Sequence, residues 1–177
     1  MIIFFISIVF FNACKQKDSE VSSRLNNAVS LLKQAQAKTE KIDFEAEKKI
    51  AYTVEQNLEF IEKQKLDSFY PEMGFVLSDY KSIIAEEAEE GNRDEHLEVM
   101  LKKELNYTQQ QLSNLKHDFS NNQISKIEFN KYFYSESTAV SNIYKYITKQ
   151  QTEFLKKQKL FNELNPKIEA LIDSLKK

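Results

Sequence analysis

The sequence predicts an all-α protein, an elongated antiparallel helical bundle. Three observations carry that prediction. The 177 residues hold only two glycines and two prolines, and a sheet protein of this size needs more punctuation at its turns. Apolar residues recur at steps of three and four, a spacing that lines one side of a helix. The last third carries a seven-residue apolar repeat, which holds one seam against a partner helix. The hydrophobic fraction of 41% is enough for a core, so the chain does not read as disordered.

The first element is a short apolar run. Residues 2–11 are interrupted only by Ser7. Ten residues of helix reach about 15 Å, half the thickness of a bilayer core. That is short for a membrane span and right for the centre of an export signal. Ala13 and Cys14 follow, and then the charged stretch KQKDSE. Cys14 is the only cysteine, so it makes no internal disulfide. A nucleophilic role needs a base and a setting that lowers the thiol pKa, and the neighbouring residues supply neither. A cytosolic apolar helix and an uncleaved membrane anchor remain open on these residues alone.

The stretch FFNAC resembles the lipobox of bacterial lipoproteins, in the looser form similar to that of Bacteroidetes. The resemblance covers residues 1–14. Phe11 stands where leucine is commoner, Asn12 is an unusual neighbour, and no Lys or Arg precedes the apolar run. The resemblance implies removal of residues 1–13 as a signal peptide and a diacylglycerol on the Cys14 sulfur. It implies a palmitate-bearing chain held on a bilayer at the bacterial cell envelope, at the outer membrane, with the leaflet open. Two or more acyl chains hold a protein firmly where one does not. Residues 14–22 then read as a lipidated flexible tether and 23–177 as a single helical-bundle domain. The body resembles generic helical-bundle lipoproteins.

Four helical segments follow. The first, 23–68, carries Leu25, Val29, Leu32, Ala35, Ile42, Ala46, Ile50, Val54, Leu58 and Ile61, with one long step over Thr39. Phe69, Tyr70 and Pro71 read as a turn or kink. The second, 72–90, has a broad apolar face that includes Phe75, Tyr80 and Ile83. Gly91 suits a helix stop, and Asn92 with Glu95 suits a capping box. The third runs to about Phe119 through Leu101, Leu105, Thr108, Leu112 and Leu115. Ser125 and Glu128 form a second capping box. The fourth then repeats Phe133, Val140, Ile147, Phe154, Phe161, Ile168 and Leu175, each seven apart. Its companion seam, Tyr144, Gln151, Gln158 and Asn165, faces solvent or fixes register. Asn165 suits a cap and Pro166 a first turn, so a kink or a last short helix is expected there. If Gly91 is a turn, the result is a four-helix head with a long two-helix extension. If it is a kink, three long helices form a spectrin-like bundle.

Chemistry is hard to find. His96 and His117 lack a Glu three positions before them, so no ferritin-type pair exists. Glu86, Glu87, Glu89 and Glu90 read as a solvated helix face rather than a calcium loop. Two glycines exclude a glycine-rich phosphate loop, and no serine sits in a nucleophile elbow. Basic and acidic residues number 25 and 27, which gives no basic face for nucleic acid. No enzyme activity, metal or cofactor is expected. The remaining signal is aromatic. Tyr70, Tyr80, Tyr132, Tyr134, Tyr144 and Tyr146 form a candidate partner surface, since tyrosine combines area with a polar tip. Ordinary core packing explains the same residues. The expected role is protein–protein interaction or scaffolding at the envelope, with an envelope protein or a second copy as partner. The alternative is binding of an apolar ligand between the helices.

Overall fold

The computed structural model describes residues 7–64, 73–85 and 94–176, with the side chains of 7–18 and 94–96 left aside. Five helices lie among these residues: α1 (Ser7–Thr39), α2 (Phe44–Lys63), α3 (Gly74–Ser82), α4 (Asp94–Ser120) and α5 (Lys126–Leu175). The fold is an all-α helical bundle. The Phe69–Pro71 turn and the choice between turn and kink at Gly91, with its Asn92 cap, fall outside the described residues.

The stretch 15–22, expected as a flexible tether, is helical. Helix α1 runs unbroken from Ser7, in keeping with the helix propensity of Lys, Gln and Glu. Val21 is buried, so the apolar stripe begins one turn before Leu25.

The first segment, expected as one helix, is two. α1 stops at Thr39 and α2 starts at Phe44. Asp43 caps the restart by accepting a 2.9 Å hydrogen bond from the Ala46 amide. Glu45 and Glu47 in the first turn of α2 suit its positive end. Thr39, Ile42 and Phe44 are all buried. The long step from Ala35 to Ile42 is the sequence mark of this break.

The chain divides into two compact units. The first holds residues 1–38 and 102–147, the second 39–101 and 148–177. Helix α5 contributes to both.

In the first unit, α1 and α5 run in the same direction. Glu20 meets Lys126 at 3.3 Å, and the Lys38 ammonium sits 5.6 Å from the Tyr144 ring. α4 runs against α1: Gln36 donates to Gln109 at 3.1 Å, while Val21 and Phe119 line one groove. The core holds Leu25, Leu32, Leu105, Leu112, Leu115, Phe129, Val140 and Ile147. Phe129 packs against Phe119 and Phe133, with ring centroids 4.8 and 5.6 Å away. Arg24 lies over Phe133 at 4.5 Å and donates to Asn130 at 2.7 Å, so its charge stays satisfied while its stem covers the aromatic cluster.

The α4–α5 turn is closed on both sides. Asn122 takes a left-handed φ of 55°. The Gln123 amide donates to the Asp118 carbonyl at 2.8 Å and the Asn122 amide to Phe119 at 3.1 Å, the paired bonds of a Schellman motif. The predicted capping box then starts α5. The Glu128 amide donates to Ser125 Oγ at 3.2 Å, and the Ser125 amide donates to Glu128 Oε2 at 2.8 Å. The Ser125 amide first, and then the Ser125 hydroxyl, which donates to the same Oε2 at 2.8 Å, hold the Glu128 carboxyl below its usual pKa.

In the second unit α2 and α5 again run in the same direction. Glu47 meets Lys157 at 3.2 Å, Asn57 meets Asn165 at 3.2 Å, and Lys176 lies 5.5 Å from the Phe60 ring. α3 runs back. Tyr80 stacks on Phe161 at 6.4 Å, and Ile83 lies beside Leu160 and Glu153. Ile50, Val54, Ile61, Ile83, Leu164, Ile168 and Ile172 form the apolar core. The first unit packs parts of α1, α4 and α5, and the second holds α2, α3, the start of α4 and the end of α5.

Pro166 neither starts nor ends a helix. It lies inside α5, which continues to Leu175. Buried Leu164, Asn165 and Ile168 surround it in sequence, and those anchors outweigh the one backbone hydrogen bond that proline removes.

Candidate functional site

Two features concern function: the cysteine expected to carry lipid and the tyrosines expected to meet a partner. Cys14 lies on α1, with its side chain outside the described atoms. Glu20 follows it by six positions, about 9 Å of helix. Glu20 is already against Lys126 at the start of α5. Packing between α1 and the rest of the first unit therefore begins less than two turns after Cys14.

The tyrosines do not form one surface. Tyr70 falls outside the described residues. Tyr80 is completely buried and is removed from the partner surface. Its apolar neighbours on α3 and its place opposite α5 turned it inward. Tyr144 is half-buried beneath Lys38. Tyr132, Tyr134 and Tyr146 are exposed, at 47%, 76% and 41%. All three lie on α5 in the first unit. At about 100° per residue, Tyr132 and Tyr146 fall within ~40° of each other, while Tyr134 points to a different side. Tyr134 instead shares its side with Ile127, which is 83% exposed and seven positions earlier. The three exposed candidate tyrosines thus fall on two sides of α5.

Tyr80 belongs to a polar cluster that the sequence did not announce. Its hydroxyl donates to Asn165 Oδ1 at 2.5 Å and accepts from Asn57 Nδ2 at 3.0 Å. Asn57 also reaches Asn165 Oδ1, and Asn165 Nδ2 donates to Glu169 at 2.9 Å. Burial raises the phenol pKa. The Asn57 hydrogen bond works against that, and the Glu169 charge works with it. Three helices therefore meet at one hydroxyl. Asn165 was legible as one of the amides of the companion seam, expected to face solvent or fix register, but nothing in the sequence pointed to Asn57. Its bonds are mutually satisfied. It is an aligning device.

A groove of about 300 Å³ opens in the first unit between α1 and α4. Val21, Ser22, Leu25, Lys116, Phe119 and Asn122 line it. Among the described residues no three His, Cys, Asp or Glu side chains gather to hold a metal ion. His117 is exposed beside Asp118, Nδ1 to Oδ1 at 3.3 Å. The side chain of His96 and the four glutamates 86, 87, 89 and 90 lie outside the described residues. No described helix is long and apolar enough to cross a membrane. The chain matches no protein-family description, no curated protein and no solved structure.

Proposed function

We propose that this chain is a lipid-anchored helical protein of the bacterial cell envelope that acts by binding another protein rather than by catalysis. One observation carries the anchor: the apolar run 2–11 ends in FFNAC and gives way at once to KQKDSE. A single signal therefore separates an export-type segment from the bundle. Acyl chains on Cys14 place the protein on a bilayer without a spanning helix. The partner is a protein of the same envelope or a second copy of the chain.

The exposed tyrosines of α5 support the binding role. Tyr132, Tyr134 and Tyr146 offer aromatic area with a polar tip on a rigid helix. Such residues give large contact area at low entropic cost.

Fractionation tests the anchor. The wild-type chain stays with membranes after a high-salt wash and enters the detergent phase. The Cys14→Ser variant leaves both. Equal membrane retention of the two forms contradicts the proposal. For the partner, photo-cross-linking from position 134 or 146 in intact cells yields a discrete adduct. A ladder of unrelated products, or none, removes α5 as the binding face.

The alternative, an apolar ligand between helices, has one structural feature to use, the groove beside Phe119. Lys116, Ser22 and Asn122 share its lining with Val21 and Leu25, which favours a polar or amphipathic guest over a purely apolar one.

A further inference from the structure

We propose that the α4–α5 turn, residues 121–127, is a second membrane contact that rests on the same bilayer as the Cys14 lipid. This depends on the reading that Cys14 is acylated. The geometry then leaves the turn little freedom. Helix α1 runs without a break from Ser7 to Thr39, so no loop separates Cys14 from the packed part of the first unit. About 9 Å of helix separates Cys14 from Glu20. There Glu20 meets Lys126 at 3.3 Å, and Arg24 one turn later donates to Asn130 at 2.7 Å. Those contacts fix the start of α5, and with it the turn, beside the anchored end of α1. A bilayer that holds the acyl chains lies within reach of residues 121–127.

The chemistry of the turn suits a headgroup layer. The stretch FSNNQISKI, 119–127, contains no carboxylate and one lysine, between Asp118 and Glu128, so its own side chains are nearly neutral and its contact with a headgroup layer is polar rather than ionic. Asn121, Asn122 and Gln123 are exposed and present amides that hydrogen-bond phosphate and glycerol oxygens. Ile127 is 83% exposed in the first turn of α5. No described residue of the first unit covers it, and an isoleucine so placed gains by leaving water. One apolar side chain and a lysine already paired with Glu20 bind a free bilayer weakly. Tethering changes that, because an anchor less than two helical turns from Glu20 keeps the turn at a high effective concentration near the surface. The result is two-point attachment. The lipid holds the protein, and the turn sets how the first unit meets the membrane.

The sequence supplies a clean reporter, because the chain has no tryptophan. Ile127→Trp places the only indole at the proposed contact, at an exposed position where the fold does not depend on the side chain. Tyr107→Trp is the control. Tyr107 is 57% exposed on α4, about 20 Å along the helix from the turn. Each variant, purified from membranes with its native N-terminus, is reconstituted in phosphatidylethanolamine and phosphatidylglycerol vesicles. The proposal predicts a blue shift and quenching by brominated lipid for the indole at 127, and neither for the indole at 107. Emission at 127 equal to that of the protein released from vesicles overturns it. Quenching at both positions also overturns it, since the first unit would then lie on its side. The mass of the N-terminal peptide from the same sample reports acylation separately. If Cys14 carries no lipid, the anchoring proposal fails. Coupling the Cys14 thiol to a maleimide phospholipid then gives the turn its own answer by the same two readings.

Discussion

At the scale of single residues, the hydroxyl of Tyr80 concentrates most of the specificity in the second unit. It joins Asn57 of α2 and Asn165 of α5 in a core otherwise built of isoleucine, leucine and valine. Apolar side chains tolerate small slips in register. A shared hydrogen bond does not, because a slip strands buried polar groups. Tyr80→Phe keeps the ring and removes the bond. It should cost about 1–2 kcal/mol, since two amides lose a partner at a buried site. Urea unfolding checks this, with a lower midpoint at an unchanged slope. The pH dependence has a definite sign. Burial, the main cause, raises the phenol pKa above the ordinary 10.0 in the folded state. The stabilisation is therefore fully present below pH 10 and is lost as pH rises through the folded value. The advantage of wild type over Tyr80→Phe should be flat from neutrality to pH 10 and shrink above it. A difference that stays constant as pH rises above 10 contradicts the assignment.

At the scale of elements, the punctuation decides what was legible in the sequence. The seven-residue stripe of α5 was readable because each of Phe133, Val140, Ile147, Phe154 and Ile168 is buried as its spacing requires. The α4 stripe from Leu101 to Leu115 was readable for the same reason. So was the Ser125–Glu128 box, whose reciprocal bonds are a local property of four residues. Two boundaries were not. Asp43 has Ala46, not Glu or Gln, three positions on, so no box marked the start of α2. Pro166 read as a kink or as the start of a last short helix, and local chemistry favours the start. Long-range packing of Leu164, Asn165 and Ile168 reversed it. The role of Tyr80 was hidden because its partners lie 23 and 85 positions away. Each boundary has a test. Asp43→Ala removes the cap and should lower stability by about 1 kcal/mol. Pro166→Ala restores an amide to an exposed site inside a continuous helix and should raise stability by about 1–3 kcal/mol. Thermal unfolding followed by circular dichroism reads both. A loss of stability on Pro166→Ala would mean that the proline serves a local conformation absent from this structure.

At the scale of the whole molecule, the two units carry different parts of the account. The second unit has the polar cluster and the short α3 packed over it. The first has the exposed tyrosines of α5, the α4–α5 turn and the Cys14 end of α1. Anchor, turn and candidate partner tyrosines therefore belong to one compact unit, so partner binding and membrane orientation share a frame. Helix α1 joins that unit directly to Cys14, the proposed lipid site. Everything about role follows from the state of one sulfur, and one measurement addresses it: the intact mass of the N-terminal peptide of the protein recovered from its own cells. The account predicts a chain that begins at Cys14 and carries a diacylglycerol on Sγ. A chain that retains residues 1–13 with an unmodified thiol contradicts it.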